Sequence, residues 1–276
     1  MLIALASAKG SPGVTSTALA LAAVWPRPVV LLEADPAGGD LAYRCRAAHG
    51  GPVSANRGLL RLAAAVRGGT ASPDVVFNES QLLACGVNLI QGVTSCAQAR
   101  GLAGLWPAIG QACVAAEVDV IADLGRLDRA SAVIPVAQTA HHLLPVASTS
   151  LASVMHLTEG LNDIAAGIAQ PGIAQPGIAD DGIGQHGRVH ISPVLVGPDL
   201  HAVRDCADLD DLLTRAGLPI TPTRPMPYDP KALLRLEQGE RAGRLGRTLL
   251  LRAARAVAGS MVTVQVDIGV ENGVLA

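Results

Sequence analysis

Ala8-Lys9-Gly10-Ser11-Pro12-Gly13-Val14-Thr15-Ser16-Thr17 follows the apolar run Leu2 to Ala6 and opens an Ala/Leu-rich helical pattern. Strand, glycine turn, helix is the layout of a phosphate-binding loop, usually written G-x-x-x-x-G-K-[ST]. In that pattern a lysine precedes the hydroxyl residue and reaches the terminal phosphates. Here Val14 stands in its place. Thr15 keeps the hydroxyl that would hold magnesium, and a lysine occurs earlier, at Lys9.

The next segments extend this beginning. Val29 to Leu32 reads as a second buried strand and ends in Glu33-Ala34-Asp35, completing a βαβ unit. Gly58 to Val66 reads as helix, Val87 to Gln91 as a short strand and Ser95 to Ala116 as one long helix. Val118 to Ala122 is a further strand, closed by Asp123-Leu124-Gly125. His142 to Ala147 and Val189 to Val196 continue the sheet, with helices from Thr149 to Ala166 and Asp199 to Ala216. Leu218 to Met226 is a proline-rich strand and loop, followed by helices over Pro230 to Gln238 and Gly243 to Ala258. This alternation predicts an α/β fold, doubly wound, with a mainly parallel sheet flanked by helices.

Two segments stand apart. Gly167-Ile168-Ala169-Gln170-Pro171 is echoed twice downstream, and its proline-bearing period suits neither helix nor central strand. Residues 168–187 are therefore expected to form a flexible Gly/Pro/Gln insertion within a single domain spanning 1–259. In the tail, 260–276, Val262, Val264, Val266 and Ile268 alternate with polar residues, which predicts a half-buried strand or a mobile segment that pairs elsewhere.

Composition narrows the function classes. Of 276 residues half are apolar but only five are aromatic, so the core is built from Leu, Val, Ile and Ala. A net charge of −2 gives no argument for nucleic-acid binding. Among 21 basic residues only Lys9 and Lys231 are lysines, and one of them lies in the glycine loop. A compact ammonium suits a crowded phosphate cradle better than a guanidinium does. Five scattered cysteines without metal spacing argue against a disulfide scaffold. Met1 to Trp25 lacks a basic start and is broken by Lys-Gly-Ser-Pro-Gly, so it does not read as a signal peptide, and a cytoplasmic protein is expected. No segment reads as a membrane anchor.

Ligands of such sheets sit at the carboxyl ends of the strands. Three ends carry suitable groups: the loop Lys9 to Thr15, then Glu33 and Asp35, then Asp123. Backbone N–H groups and the helix N-terminus at the loop favour a polyphosphate, and carboxylates nearby suit magnesium. Strand-ending acids are also ordinary capping residues, so each alone is ambiguous.

Together these residues resemble the ParA/MinD family of P-loop ATPases. Its loop is K-G-G-x-G-K-T-[ST], and Lys9 to Ser16 reads K-G-S-P-G-V-T-S. Val30 to Pro36 resembles the family's first switch, Val118 to Gly125 its Walker B strand, and Pro225 to Asp229 the segment bordering the base. The resemblance implies ATP and Mg2+ as cofactors, with Gly10, Ser11, Pro12, Gly13, Val14, Thr15, Ser16, Pro227 and Asp229 around the nucleotide. It implies Thr15, Asp123 (through water) and Glu33 at the metal. Lys9 would cross to the partner's phosphates in an ATP-bound homodimer, and Asp35 would position the attacking water. Losing the charge-assisted contact at position 14 costs about 1.5–3 kcal/mol, so slow or absent hydrolysis is expected. A similar loss occurs in the CpaE/TadZ branch, and Gly38-Gly39-Asp40-Leu41 is similar to that branch.

Three functions follow as expectations. The first is an ATP-dependent dimerising switch for spatial positioning, of a chromosome, plasmid, division site or pilus, with weak ATPase activity and an unidentified protein cargo or regulator. The second is a pseudo-ATPase scaffold acting only through protein contacts. The third is a Rossmann oxidoreductase, because Glu33 lies about 20 residues after the loop. That fingerprint, G-x-G-x-x-G, is not met, and Thr15 and Asp123 would have no role in it.

Overall fold

In a computed structural model, residues 1–10, 12–69, 71–169, 189–218 and 220–271 are described. Strand β1 (Leu2–Ser7) leads through the glycine loop into α1 (Val14–Val24) and on to β2 (Val29–Glu33). A four-residue helix α2 (Leu41–Arg44), then α3 (Leu59–Val66) and α4 (Val75–Asn78), precede the short strands β3 (Gln81–Leu82) and β4 (Asn88–Ile90).

The long helix expected over Ser95 to Ala116 is two helices, α5 (Cys96–Gly101) and α6 (Trp106–Ala115). Gly101 and Gly104 weaken the segment between them, and Pro107 fits only a first helical turn, so a new helix starts there. The chain continues through β5 (Asp119–Arg126), α7 (Ile134–Thr139), β6 (His142–Ser148) and α8 (Leu151–Ala169). Past α8 the expected repeat insertion lies outside the described residues.

The strand expected over Val189 to Val196 is interrupted at Ser192-Pro193, giving β7 (His190–Ile191) and β8 (Val194–Gly197). A 3-10 turn at Asp199–His201 enters α9 (Ala202–Arg215), followed by β9 (Arg224–Pro227) and α10 (Pro230–Glu237). The last helix, α11 (Leu249–Glu271), starts later and runs further than the pattern over Gly243 to Ala258 suggested.

That extension corrects the reading of the tail. Val262 to Ile268 is helix, neither strand nor loose segment. Leu250, Ala254, Val257, Ala258 and Met261 are buried at helical spacing, and the helix they nucleate propagates residue by residue. Placing a valine in it costs only about 0.5 kcal/mol relative to alanine. A two-residue alternation carries no weight against a helix already started.

Among the described residues nine strands form one sheet in the order β3-β4-β2-β5-β1-β6-β8-β9, with β7 beside β6. Every pairing is parallel except β3 with β4. Both faces are covered, which is why β1 and the runs Val29–Leu32 and Val120–Ala122 are buried and almost wholly apolar. Ile3, Leu5 and Leu31 face α1 and α11, whereas Leu2, Ala4, Val30 and Leu32 face the α3, α6 and α7 side. Helix α1 is apolar almost all round because it lies between the sheet and α11. A third cluster joins α8 and α9 over β6 and β8. Among the described residues no helix is long and apolar enough to cross a membrane.

Chain order reverses at β1, which lies between β5 and β6. The reversal sets the carboxyl ends of β5 and β2 on one side of the β1 end and that of β6 on the other, the place where such sheets bind ligands.

Candidate functional site

The glycine loop turns twice through the left-handed region, at Gly10 (φ 79°) and Gly13 (φ 100°). Side chains with a Cβ rarely adopt these values, so both turns depend on glycine. Gly13 is the N-cap of α1, and no side chain caps that terminus. The first N–H groups of the helix thus lack a side-chain acceptor, and the dipole adds positive potential there. Lys9 is exposed beside them and Pro12 half-buried, while Ser11 lies outside the described residues.

Thr15 Oγ1 donates to Asp123 Oδ2 at 2.6 Å. The register of β1 on β5 places Asp123 beside Leu5, and that of β2 on β5 places it beside Glu33. Its second oxygen accepts from Gly125 N–H at 3.0 Å. Only 2 % of Asp123 is exposed. Burial pushes its carboxyl up to about 6, against the lowering effect of the Thr15 hydroxyl. A nearby dication would reverse that shift.

Asp35 is half-buried at the end of the β2 loop, where Oδ1 accepts from Ala37 N–H at 2.7 Å. Burial raises its pKa, and Asp40 adds to the effect. A Cβ at Gly125 would lie 2.0 Å from Asp35 Oδ2, so the Walker B-like segment needs glycine there for space as well as for its φ of 63°. Asp35 therefore packs against Gly125, in the irregular stretch of β5 that follows Asp123.

Glu33 faces a different task. Its oxygens accept from Leu41 N–H at 2.8 Å and Gly92 N–H at 3.1 Å. With 1 % of its surface exposed, burial pushes its pKa up to about 7. The carboxyl pins the start of α2 to the end of β4.

A cavity of about 790 Å³ opens over the loop. Of the residues expected at a nucleotide, Lys9, Gly10, Pro12, Gly13, Ser16, Pro227 and Asp229 line it. Asp229 also caps α10, accepting from Ala232 N–H at 3.0 Å. Val14 is not among the lining residues; it is 6 % exposed and belongs to the apolar core under α1. Thr149 and Ser150, just past β6, and Ser153 and His156 on α8 line another part of the wall. Sequence reasoning missed them, although the run Ser148-Thr149-Ser150 closing an apolar strand was a signal. It also missed Arg44, whose guanidinium donates to Ser16 Oγ at 3.3 Å.

These residues fit a polyphosphate with magnesium. An uncapped helix N-terminus and two glycine turns provide the anion cradle, and Thr15 with the buried Asp123 provides oxygen donors suited to a hard cation.

In sequence comparison no family model matches the chain, and no curated protein does. Solved structures do. A ParA family ATPase from Chlorobium tepidum TLS is 18% identical, with a TM-score of 0.65 over 93% of this chain and 98% of its own. The septum site-determining protein MinD of Pyrococcus horikoshii OT3, solved with Mg-ADP, is 14% identical with a TM-score of 0.63, covering 94% and 95%. Cobyrinic acid a,c-diamide synthase from Mycobacterium smegmatis, solved with an ATP analogue and magnesium, is 18% identical with a TM-score of 0.62, covering 95% and 93%. The chain has the fold of the ParA/MinD-type P-loop ATPases.

Proposed function

We propose that this protein is a nucleotide-dependent switch that dimerises around Mg-ATP, positions a partner assembly in the cytoplasm, and hydrolyses ATP slowly. The observation that carries the reading is the Thr15–Asp123 hydrogen bond directly beneath an uncapped helix N-terminus. Its likeness in fold to proteins solved with Mg-ADP and with an ATP analogue and magnesium supports the choice of ligand.

Bound Mg-ATP supplies an electrophilic terminal phosphorus and a dication that spreads its charge. The N–H groups of Gly10, Gly13, Val14, Thr15 and Ser16 would hold the phosphate oxygens, and Thr15 Oγ1 and Asp123 would hold magnesium, Asp123 through water. Asp35, half-buried and with a raised pKa, orients a water and draws on its proton. Lys9, exposed on the loop, reaches the phosphates of a second copy. Pro227 and Asp229 border the base. Glu33 is assigned to holding α2, since both its oxygens already accept backbone N–H groups. The same geometry speaks against a ribose-binding Glu33 and hence against the oxidoreductase reading.

A second reading, a scaffold without turnover, is favoured by one observation: Val14 is packed into the core where a loop lysine would meet phosphate. Hydrolysis of labelled ATP with magnesium separates the two. The switch predicts slow turnover that disappears in Asp35→Ala. Equal release by wild type and variant, or none by either, leaves the scaffold.

A further inference from the structure

The loop has lost its neighbouring lysine, yet a different cation stands against the first turn of α1. Arg44, the last residue of α2, donates through Nη2 to Ser16 Oγ at 3.3 Å. The same Nη2 donates to Glu237 Oε1 on α10, forming an ion pair. Arg44 is 31% and Glu237 12% exposed, so this pair is half-sheltered and not a fully solvated surface contact. Among the described residues both side-chain hydrogen bonds of Arg44 leave from Nη2, and none leaves from Nε or Nη1. Ser16 itself lines the cavity beside Gly13. The positive charge also reaches Asp123, where it opposes the effect of burial.

We propose that Arg44 is the in-subunit phosphate cation of this loop, replacing the lysine lost at Val14, and that Glu237 restrains it until a polyphosphate arrives. A guanidinium suits the task because it carries five N–H donors: Nη2 can stay near Glu237 while Nη1 or Nε donates to a phosphate oxygen. Glu33 sets the starting point of the arm by anchoring Leu41 N–H, three residues before Arg44. The assignment rests on the nucleotide reading above and extends it to the source of the missing charge.

The opposite signs expected for the two members of one ion pair provide the test. Binding of Mg-ADP and of inorganic tripolyphosphate is measured by titration calorimetry on the full chain, with thermal unfolding of each variant as a folding check. Arg44→Ala should weaken both ligands roughly tenfold to a hundredfold, the loss of a charge-assisted phosphate contact. Glu237→Gln should tighten both by about tenfold, because the competing acceptor is gone. Adding Val14→Lys to Arg44→Ala should recover most of the lost affinity. If Arg44→Ala binds like wild type, or if Glu237→Gln weakens binding alongside it, the pair is only structural and the assignment is overturned. A wild type that binds neither ligand overturns the nucleotide reading itself.

Discussion

Thr15 and Asp123 lie 108 residues apart and share a hydrogen bond of 2.6 Å. At this scale the site is a set of oxygens and N–H groups with definite partners. Thr15→Ala should leave the fold intact and make binding of Mg-ADP about tenfold weaker, with binding of magnesium-free ADP nearly unchanged. Equal losses with and without magnesium would contradict the metal role. Glu33 supplies a pH test. Its folded pKa, about 7, lies above its ordinary value of 4.5, so the folded state binds that proton more tightly than the unfolded state. Stability from this group is complete below its unfolded pKa and is lost as pH rises toward 7. His142 opposes it, because burial lowers its pKa to about 4. The difference in urea stability between wild type and Glu33→Gln isolates the glutamate. It should shift against wild type from about pH 4.5 to pH 7 and then level. A difference independent of pH would mean that burial is not setting this carboxyl.

At the scale of elements, the unit β1, α1, β2 was legible because its apolar runs, two glycines and hydroxyl residue all point the same way. Asp123 was legible as the acid that follows an apolar run, although β5 does not close there and continues to Arg126. Arg44 was not, since α2 has four residues and no periodicity, and its partner Glu237 lies 193 positions away. The inward packing of Val14 was equally hidden: a sequence shows which charge is missing but not where the substitute side chain goes. In the tail, a period-two pattern misled because the helix from Leu249 had already been nucleated on the core. That packing predicts the cost of disturbing it. Ala254 is fully buried against α1's side of the sheet, and Ala254→Asp should destabilise by about 3 kcal/mol or more, read by denaturant unfolding. At α1, Val14→Lys should raise ATP turnover; no gain would show that charge at this position is not what limits the site.

For the whole molecule, sheet order decides where chemistry can occur. Reversal at β1 brings the ends of β1, β2 and β5 together, and these ends hold the loop, Glu33 and Asp123. That architecture was predicted from alternating strands and helices, whereas the exact strand order was not, because pairing partners leave no local pattern. Exposed Lys9 is the residue whose role requires a second copy. Lys9→Ala and Lys9→Arg should both bind nucleotide yet fail to dimerise with ATP, as read by light scattering. Normal dimerisation of both mutants would remove the cross-subunit role.

The most direct measurement titrates ATP, then ADP, into the pure protein with magnesium while particle mass is followed in parallel. We expect saturable binding of both nucleotides and a doubling of mass with ATP alone. No binding, or binding that leaves the mass unchanged with ATP, would contradict a nucleotide-driven switch.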